Sequence, residues 1–551
     1  MKENRILIPA RVAIRAYASS ETGIGHLMRM RHLAAALQQQ GAAVIFMLDH
    51  PDTGLRELLD GLEVLYLRQS ASLQLLDQQQ DALKVVEQLL GSSVEVVLVD
   101  DYRLDAIWEA EVKRAGYRVV SIDDTATRMH QCDLLVDQKW RGEKTVGSYQ
   151  GLVPRNCQQL LGPDYTLLAA EYGKLQQKVE SHTEAPFKVL LSLGGGGDLA
   201  MLASLVEVLV EQYGYDAEHI QLQVVVGPAS KNCKRLLELA EQGVVQLLVG
   251  KRSLFEYYRS ASLIVGAAGG SIYEWAALKV PSISFSISDN QQNNQSWLDD
   301  IGHYFHLPEL NVEDTYQLAQ LIESVRENYD RIRQLFLHAP IQLDGKGCIR
   351  VASEVCRLLS DDNVCIAPPA PMNGVIKREE VEGYLMRKVD DRDMNHYLQS
   401  RNLKLNRGNM IEQDKIRPVD HYCWWLVNQR DSFLLFKNGD PMLYIWHECV
   451  EVLGEQYWIG GWFVCGDACQ YQDTLYALSW QLEWTDKYYP EIPWIAVISR
   501  ENNFVKLLNQ YQGFNEVKVG SERSAVIAAA FPKASFEQFY FVTREPRCES
   551  S

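Results

Sequence analysis

At 551 residues the chain is longer than one ordinary hydrophobic core fills, which points to about three domains. A hydrophobic content of 47% beside 23% charged residues is that of a soluble globular protein, and no apolar run is long enough to span a bilayer. The formal net charge of −18, with no compensating basic tail, argues against a general nucleic-acid or anionic-membrane binder. It leaves room for a small anionic ligand, which needs only local positive charge.

The opening Met1-Lys2-Glu3-Asn4-Arg5 leads into a short apolar run, 6–14, that contains Pro9 and Arg11 and does not read as a signal peptide. The 11 cysteines are scattered and form no CxxC pair. Cys465 and Cys469 stand four apart with no second pair at zinc spacing. A cytoplasmic protein with reduced thiols and no metal site is the expectation.

The run 6–14 reads as a strand. It is followed by Gly23-Ile24-Gly25-His26-Leu27-Met28-Arg29 and a leucine- and alanine-rich helix over 27–37. A glycine turn between strand and helix lets backbone approach a ligand, and the helix start favours an anion. His26 sits at that start, where an imidazole can take or give a proton near neutral pH. A structural glycine turn carrying a loop histidine is the alternative, because short glycine motifs also arise by chance.

Strands then alternate with helices as far as about residue 170. The strand over 96–99 ends in Asp100-Asp101-Tyr102, and the strand over 118–122 ends in Asp123-Asp124. Carboxylates at the ends of parallel strands either face a ligand crevice or cap the next helix. Residues 176–186 are polar and aperiodic and read as a linker. A second α/β unit follows, in which the strand over 188–193 leads into Gly194-Gly195-Gly196-Gly197-Asp198 and a helix over 199–210. Strands over 221–226, 244–249 and 263–265 come next. A second small-residue loop, Gly266 to Ser271, precedes a helix over 273–278, then a strand over 282–286 and Asp289-Asn290-Gln291. The expected organisation is an N-terminal Rossmann-like domain over 1–175 and a nucleotide-binding Rossmann-like domain over 186–360. Past the proline-rich Ile366-Ala367-Pro368-Pro369-Ala370-Pro371, an aromatic-rich α+β domain covers 375–551, with an antiparallel meander and a helix over 473–487.

These motifs together resemble the UDP-sugar hydrolase family of pseudaminic acid biosynthesis. The resemblance extends to about residue 355 and rests on Gly23 to Arg29, Asp100-Asp101-Tyr102, Asp123-Asp124 with His130-Gln131-Cys132-Asp133, Leu161-Gly162-Pro163-Asp164-Tyr165, the loops Gly194 to Asp198 and Gly269-Gly270-Ser271 with Glu274, and Asp289-Asn290-Gln291. It implies two Rossmann-like domains in a GT-B arrangement and metal-free, cofactor-free hydrolysis of a UDP-linked 2,4-diacetamido-2,4,6-trideoxy-hexose. The catalytic residues it implies are His26 as base, with Tyr102 and Asn290 positioning sugar or water. Substrate binding falls to Gly25, Arg29, Gly194, Gly195, Gly269, Gly270, Ser271, Glu274 and Gln291, with Glu274 on the ribose. One departure stands out. The family's strand-end R-x-D-x-S appears here as Arg15-Ala16-Tyr17-Ala18-Ser19, so a tyrosine stands where an aspartate is usual and cannot supply its charge.

Residues from about 375 to 545 resemble a GNAT-type N-acetyltransferase, on the meander, the long helix and the spacing from Asn502 to Gly513-Phe514. Acetyl-CoA would then be the cofactor of this part. Its usual glycine turn is replaced by Gln470-Tyr471-Gln472, and Asn509 stands at the usual acid position. The tryptophans Trp424-Trp425, Trp458 and Trp462 read as core, and His421, His447 and Glu448 lack a third ligand at metal spacing. The competing functions are a GT-B glycosyltransferase that uses a nucleotide-activated nonulosonic acid and a glycan acceptor, a bifunctional hydrolase and N-acetyltransferase, and a catalytically inactive scaffold.

Overall fold

The computed structural model describes residues 11–17, 24–69, 76–174, 186–215, 220–251, 253–287, 293–359 and 383–547. Gly23, Asp289-Asn290-Gln291, most of the expected linker and the proline-rich run lie outside them. The chain divides into two compact units, 1–375 and 376–551.

The first unit contains two parallel sheets. The first is built from β1 (Arg11–Ala16), β2 (Ala43–Leu48), β3 (Glu63–Tyr66), β4 (Val94–Asp100), β5 (Arg118–Ile122), β6 (Leu134–Asp137) and β7 (Gln158–Leu161), in the order β3-β2-β1-β4-β5-β6-β7. The central strands are apolar on both faces, as strands covered by helices on either side must be. The helix Gly25–Gln39 places Leu27, Met30, Leu33, Ala34 and Leu37 on one face and buries it against this sheet. The helix Gly347–Leu359 returns from the far end of the unit and adds Val351, Ala352 and Val355 to the same core.

The second sheet uses β8 (Phe187–Ser192), β10 (Ile220–Val226), β12 (Gln246–Val249), β13 (Leu263–Ala267), β14 (Ser282–Phe285) and β15 (Phe305–Leu307), in the order β12-β10-β8-β13-β14-β15. A small parallel pair, β9 (Gly196–Asp198) and β11 (Ala229–Lys231), sits beside it. Counted from its own first strand, the first sheet runs 3-2-1-4-5-6-7 and the second 3-2-1-4-5-6, so the strand order reverses between β1 and β4 and again between β8 and β13. Open α/β sheets bind ligands at these reversals, outside the carboxyl ends of the strands.

The second unit is a mixed sheet of β16 (Tyr384–Lys388), β17 (Asp431–Lys437), β18 (Asp440–Val452), β19 (Glu455–Val464), β20 (Trp494–Ser499), β21 (Asn515–Glu516) and β22 (Phe539–Arg544), in the order β16-β17-β18-β19-β20-β22-β21. The expected meander is β17-β18-β19. The helix Tyr471–Tyr488 then crosses over, so β20 joins β19 in parallel, and the two strands share a register pair only at Trp458 and Trp494.

Candidate functional site

The first strand reversal gathers three of the motifs. His26 lies in the first turn of Gly25–Gln39, after β1, and Asp100 is the last residue of β4. Their side chains meet with His26 Nδ1 2.6 Å from Asp100 Oδ1. Arg29, one turn along the helix, donates to both oxygens of Asp100 at 2.6 and 2.5 Å and to Asp124 at 2.8 Å. The Tyr102 hydroxyl donates to the other oxygen of Asp124 at 2.5 Å, and its ring stands edge-on to His26 with centroids 4.6 Å apart. Asp100 is fully buried, and desolvation opposes its charge. Arg29 and His26 overcome that cost and hold the carboxyl at about 2. Desolvation also opposes the Asp124 charge, and Arg29 and Tyr102 bring that carboxyl below its ordinary value. Desolvation and the Asp124 charge push the Tyr102 phenol upward, so it stays a neutral donor. A permanent anion on Nδ1 orients the ring and leaves Nε2 to exchange a proton, the arrangement a general base requires.

Asp100 is the member that sequence reasoning left without a role. The expected difficulty was Tyr17, which stands in place of an aspartate and cannot supply its charge. In the parallel register Ala16 pairs with Asp100, and the Tyr17 N–H donates to the Asp100 carbonyl at 3.1 Å. The neighbouring strand therefore delivers a carboxylate one position from Tyr17. Tyr17 itself lies under the Arg103 guanidinium, 4.1 Å from its ring centroid. Arg29 is committed to two carboxylates, a positioning task rather than a free anion contact.

His130, Cys132 and Asp133 serve the domain interior. His130 is buried beside Glu109 at 2.8 Å, Cys132 lies against Cys157, and Asp133 accepts from Lys113 and the Val119 N–H. Burial opposes the His130 charge, but Asp123 and Glu109 raise it to about 9.

The second reversal holds the two glycine loops, which differ. A Cβ on Gly195 would lie 2.7 Å from Ile24 Cγ1, so this loop abuts the start of the His26 helix. Gly194 is at φ +75° with open space where a side chain would point. The helix Ala200–Tyr213 that follows is already served by a carboxylate, since Asp198 accepts from the Ala200 N–H at 2.9 Å. The helix Ser271–Leu278 has no side-chain cap, and a Cβ on Gly270 would meet nothing within 4 Å. Of the two, Gly269-Gly270-Ser271 is the start without a carboxylate on its N–H groups, so the helix dipole there favours an added anion. Glu274, in the first turn of this helix, accepts from the Tyr172 hydroxyl at 3.1 Å, and desolvation raises its carboxyl to about 7. Asn290 and Gln291 lie outside the described residues.

In the second unit, Tyr471–Tyr488 starts at Gln470 with no glycine. Asp473, fully buried, accepts from the Gln470 N–H at 2.7 Å, from Lys437 at 2.9 Å and from the Tyr384 hydroxyl at 2.5 Å. A carboxylate thus occupies the place where a pyrophosphate would meet the helix, and these residues do not fit acetyl-CoA. Asn509 is buried and donates to the Val505 carbonyl, and Tyr511 points into solvent. Trp425 and Trp458 are core, Trp424 is half-buried, and among the described residues no group of His, Cys, Asp and Glu forms a metal cluster. No described helix is long and apolar enough to cross a membrane.

No protein-family model matches the chain. No curated protein matches it either. Solved structures do. MurG of Acinetobacter baumannii is 15% identical over 63% of this chain and 100% of its own, with a TM-score of 0.41. A putative UDP-N-acetylglucosamine 2-epimerase of Listeria monocytogenes is 12% identical over 66% of this chain and 99% of its own, with a TM-score of 0.43. The UDP-GlcNAc 2-epimerase of Methanocaldococcus jannaschii is 14% identical over 63% and 99%, with a TM-score of 0.41.

Proposed function

We propose that the first unit is a GT-B-type nucleotide-sugar enzyme that hydrolyses a UDP-linked 2,4-diacetamido-2,4,6-trideoxy-hexose. The observation that carries this reading is the His26–Asp100 pair at one strand reversal, with an uncapped helix start at the other. The diphosphate sits on Gly269-Gly270-Ser271, where charge develops as it leaves. His26 Nε2 takes a proton from water as the water oxygen bonds to the anomeric carbon. The anomeric C–O bond breaks, and its electron pair leaves with UDP. Tyr102, fixed by Asp124, and Asn290, carried over from the family motif, position sugar or water. Asp100 gives His26 the carboxylate that Tyr17 cannot supply, so hydrolysis is preferred.

We read the second unit as a GNAT-like fold from its order of elements, but one that does not use acetyl-CoA, because Asp473 fills the helix start. No acetyl transfer is assigned to it.

The test is to incubate the purified chain with the UDP-linked diacetamido trideoxy sugar and follow free sugar and UDP by NMR. Release of both, lost in His26→Ala, is the expected result. A folded protein that releases neither overturns hydrolysis and directs attention to nucleotide-activated nonulosonic acids with a glycan acceptor.

A further inference from the structure

Tyr172 belongs to neither glycine loop and to no motif singled out in the sequence. It lies in the short 3-10 turn Tyr172–Lys174, on the connection between the two sheets of the first unit. There the two connections cross. A Cβ on Gly173 would lie 3.1 Å from the Gly345 carbonyl, and one on Gly345 2.5 Å from the Tyr172 carbonyl carbon. Only glycines allow this approach, and it fixes the Tyr172 backbone. The ring is buried edge-on against Phe255, with centroids 4.9 Å apart. Its hydroxyl has a charged partner within reach, Glu274 Oε1 at 3.1 Å.

We infer that Tyr172 is a positioning residue for nucleotide binding, holding the Glu274 carboxylate ionised and aimed to accept from the ribose hydroxyls. The inference rests on the nucleotide reading of the Ser271–Leu278 start. Glu274 is half-buried and faced by few charges. Tyr172 and Glu171 reach it from the connection, Tyr258 from the helix Phe255–Ser260, and Ser271 from its own helix. Burial and Glu171 favour the neutral acid; Tyr172 and Ser271 favour the anion, and the balance stands at about 7. Removing the Tyr172 hydroxyl shifts that balance toward the neutral acid, which accepts ribose hydroxyls less well. Near neutral pH the carboxylate is therefore an effective ribose acceptor only while Tyr172 donates to it.

The experiment compares UDP with 2′,3′-dideoxy-UDP by calorimetry on the intact chain, as wild type, Tyr172→Phe and Glu274→Gln. Phenylalanine keeps the ring contact with Phe255, and a thermal melt checks folding. Wild type is expected to prefer UDP by roughly tenfold at neutral pH, the scale of a hydrogen bond to a charged group. Tyr172→Phe is expected to lose most of that preference at neutral pH and to regain it as the pH is raised and Glu274 ionises unaided. Glu274→Gln, which cannot titrate, is expected to lack the preference at every pH. If wild type prefers UDP and Tyr172→Phe shows the same preference and pH profile, the inference is overturned and the nucleotide reading stands. A Tyr172→Phe loss that high pH does not restore, in a folded protein, also overturns it, since a packing defect has no such titration. Wild type that binds no UDP overturns the nucleotide reading itself, and this inference with it.

Discussion

Asp100 and Asp473 are both fully buried aspartates, each paired with a cation and close to a tyrosine, yet they do opposite things. Asp100 ends a strand and points across the strand reversal to His26 and Arg29. Asp473 lies inside a helix and turns back on the N–H of its own N-cap, Gln470. The first orients an imidazole at the strand reversal and does not reach a helix N–H. The second closes the start of its helix with a negative charge. A buried carboxylate is thus no mark of a site in itself; what it accepts from decides.

The largest expected effect lies at Asp100. Asp100→Asn keeps size but removes the charge that orients His26, so UDP release should fall by about 10²–10⁴-fold, with His26→Ala at least as low. A release rate within a factor of a few of wild type would show that Asp100, like Asp473, is only structural. The buried ion group at His130 comes next. Its folded value of about 9 lies above the ordinary 6.5, so its contribution is fully present below about pH 6.5 and is lost as pH rises through 9. Over that window the chain should lose roughly 3 kcal/mol from this group, read as a falling melting temperature. His130→Gln should be less stable at pH 6 and lack that slope.

Gly270→Asp carries the chemistry of Asp473 into the first unit. Space for the Cβ is open, so folding should survive, and an anion at the start of Ser271–Leu278 should weaken UDP binding by about tenfold in calorimetry. Unchanged affinity would place the diphosphate elsewhere. The smallest effect is expected from Asp473→Asn, about 1 kcal/mol of stability from the weakened cap. UDP release should be unaffected, and neither this variant nor wild type should bind acetyl-CoA. Saturable acetyl-CoA binding by wild type would undo the reading of the second unit.

The α/β class was legible because continuous apolar strands followed by glycine turns and periodic helices leave few other arrangements. Helix bounds shifted at the ends, where caps act. The helix expected over 27–37 runs Gly25–Gln39, and the one expected over 273–278 starts at Ser271. His26, Tyr102 and Glu274 were legible as candidates, each being a reactive side chain at a strand end or helix start. Both glycine loops read in sequence as a turn between strand and helix, and how their helix starts differ was not legible: whether Asp198 reaches a backbone N–H depends on how β9 leads into its helix.

The amino-acid order by itself determined which residues stand at strand ends and helix starts, because hydrophobic periodicity and glycine placement act locally. It also determined that position 17 carries no carboxylate. Only the tertiary structure decided that His26 nevertheless has one. Asp100 is 74 positions away in the chain, and it arrives because β4 pairs in parallel with β1 and ends level with it. Likewise Tyr172 and Glu274 are 102 positions apart, and they meet because the connections between the sheets cross at two glycines. Pairings of this kind follow from strand register and chain crossings, which are set by the packing of whole sheets and leave no local trace in the sequence.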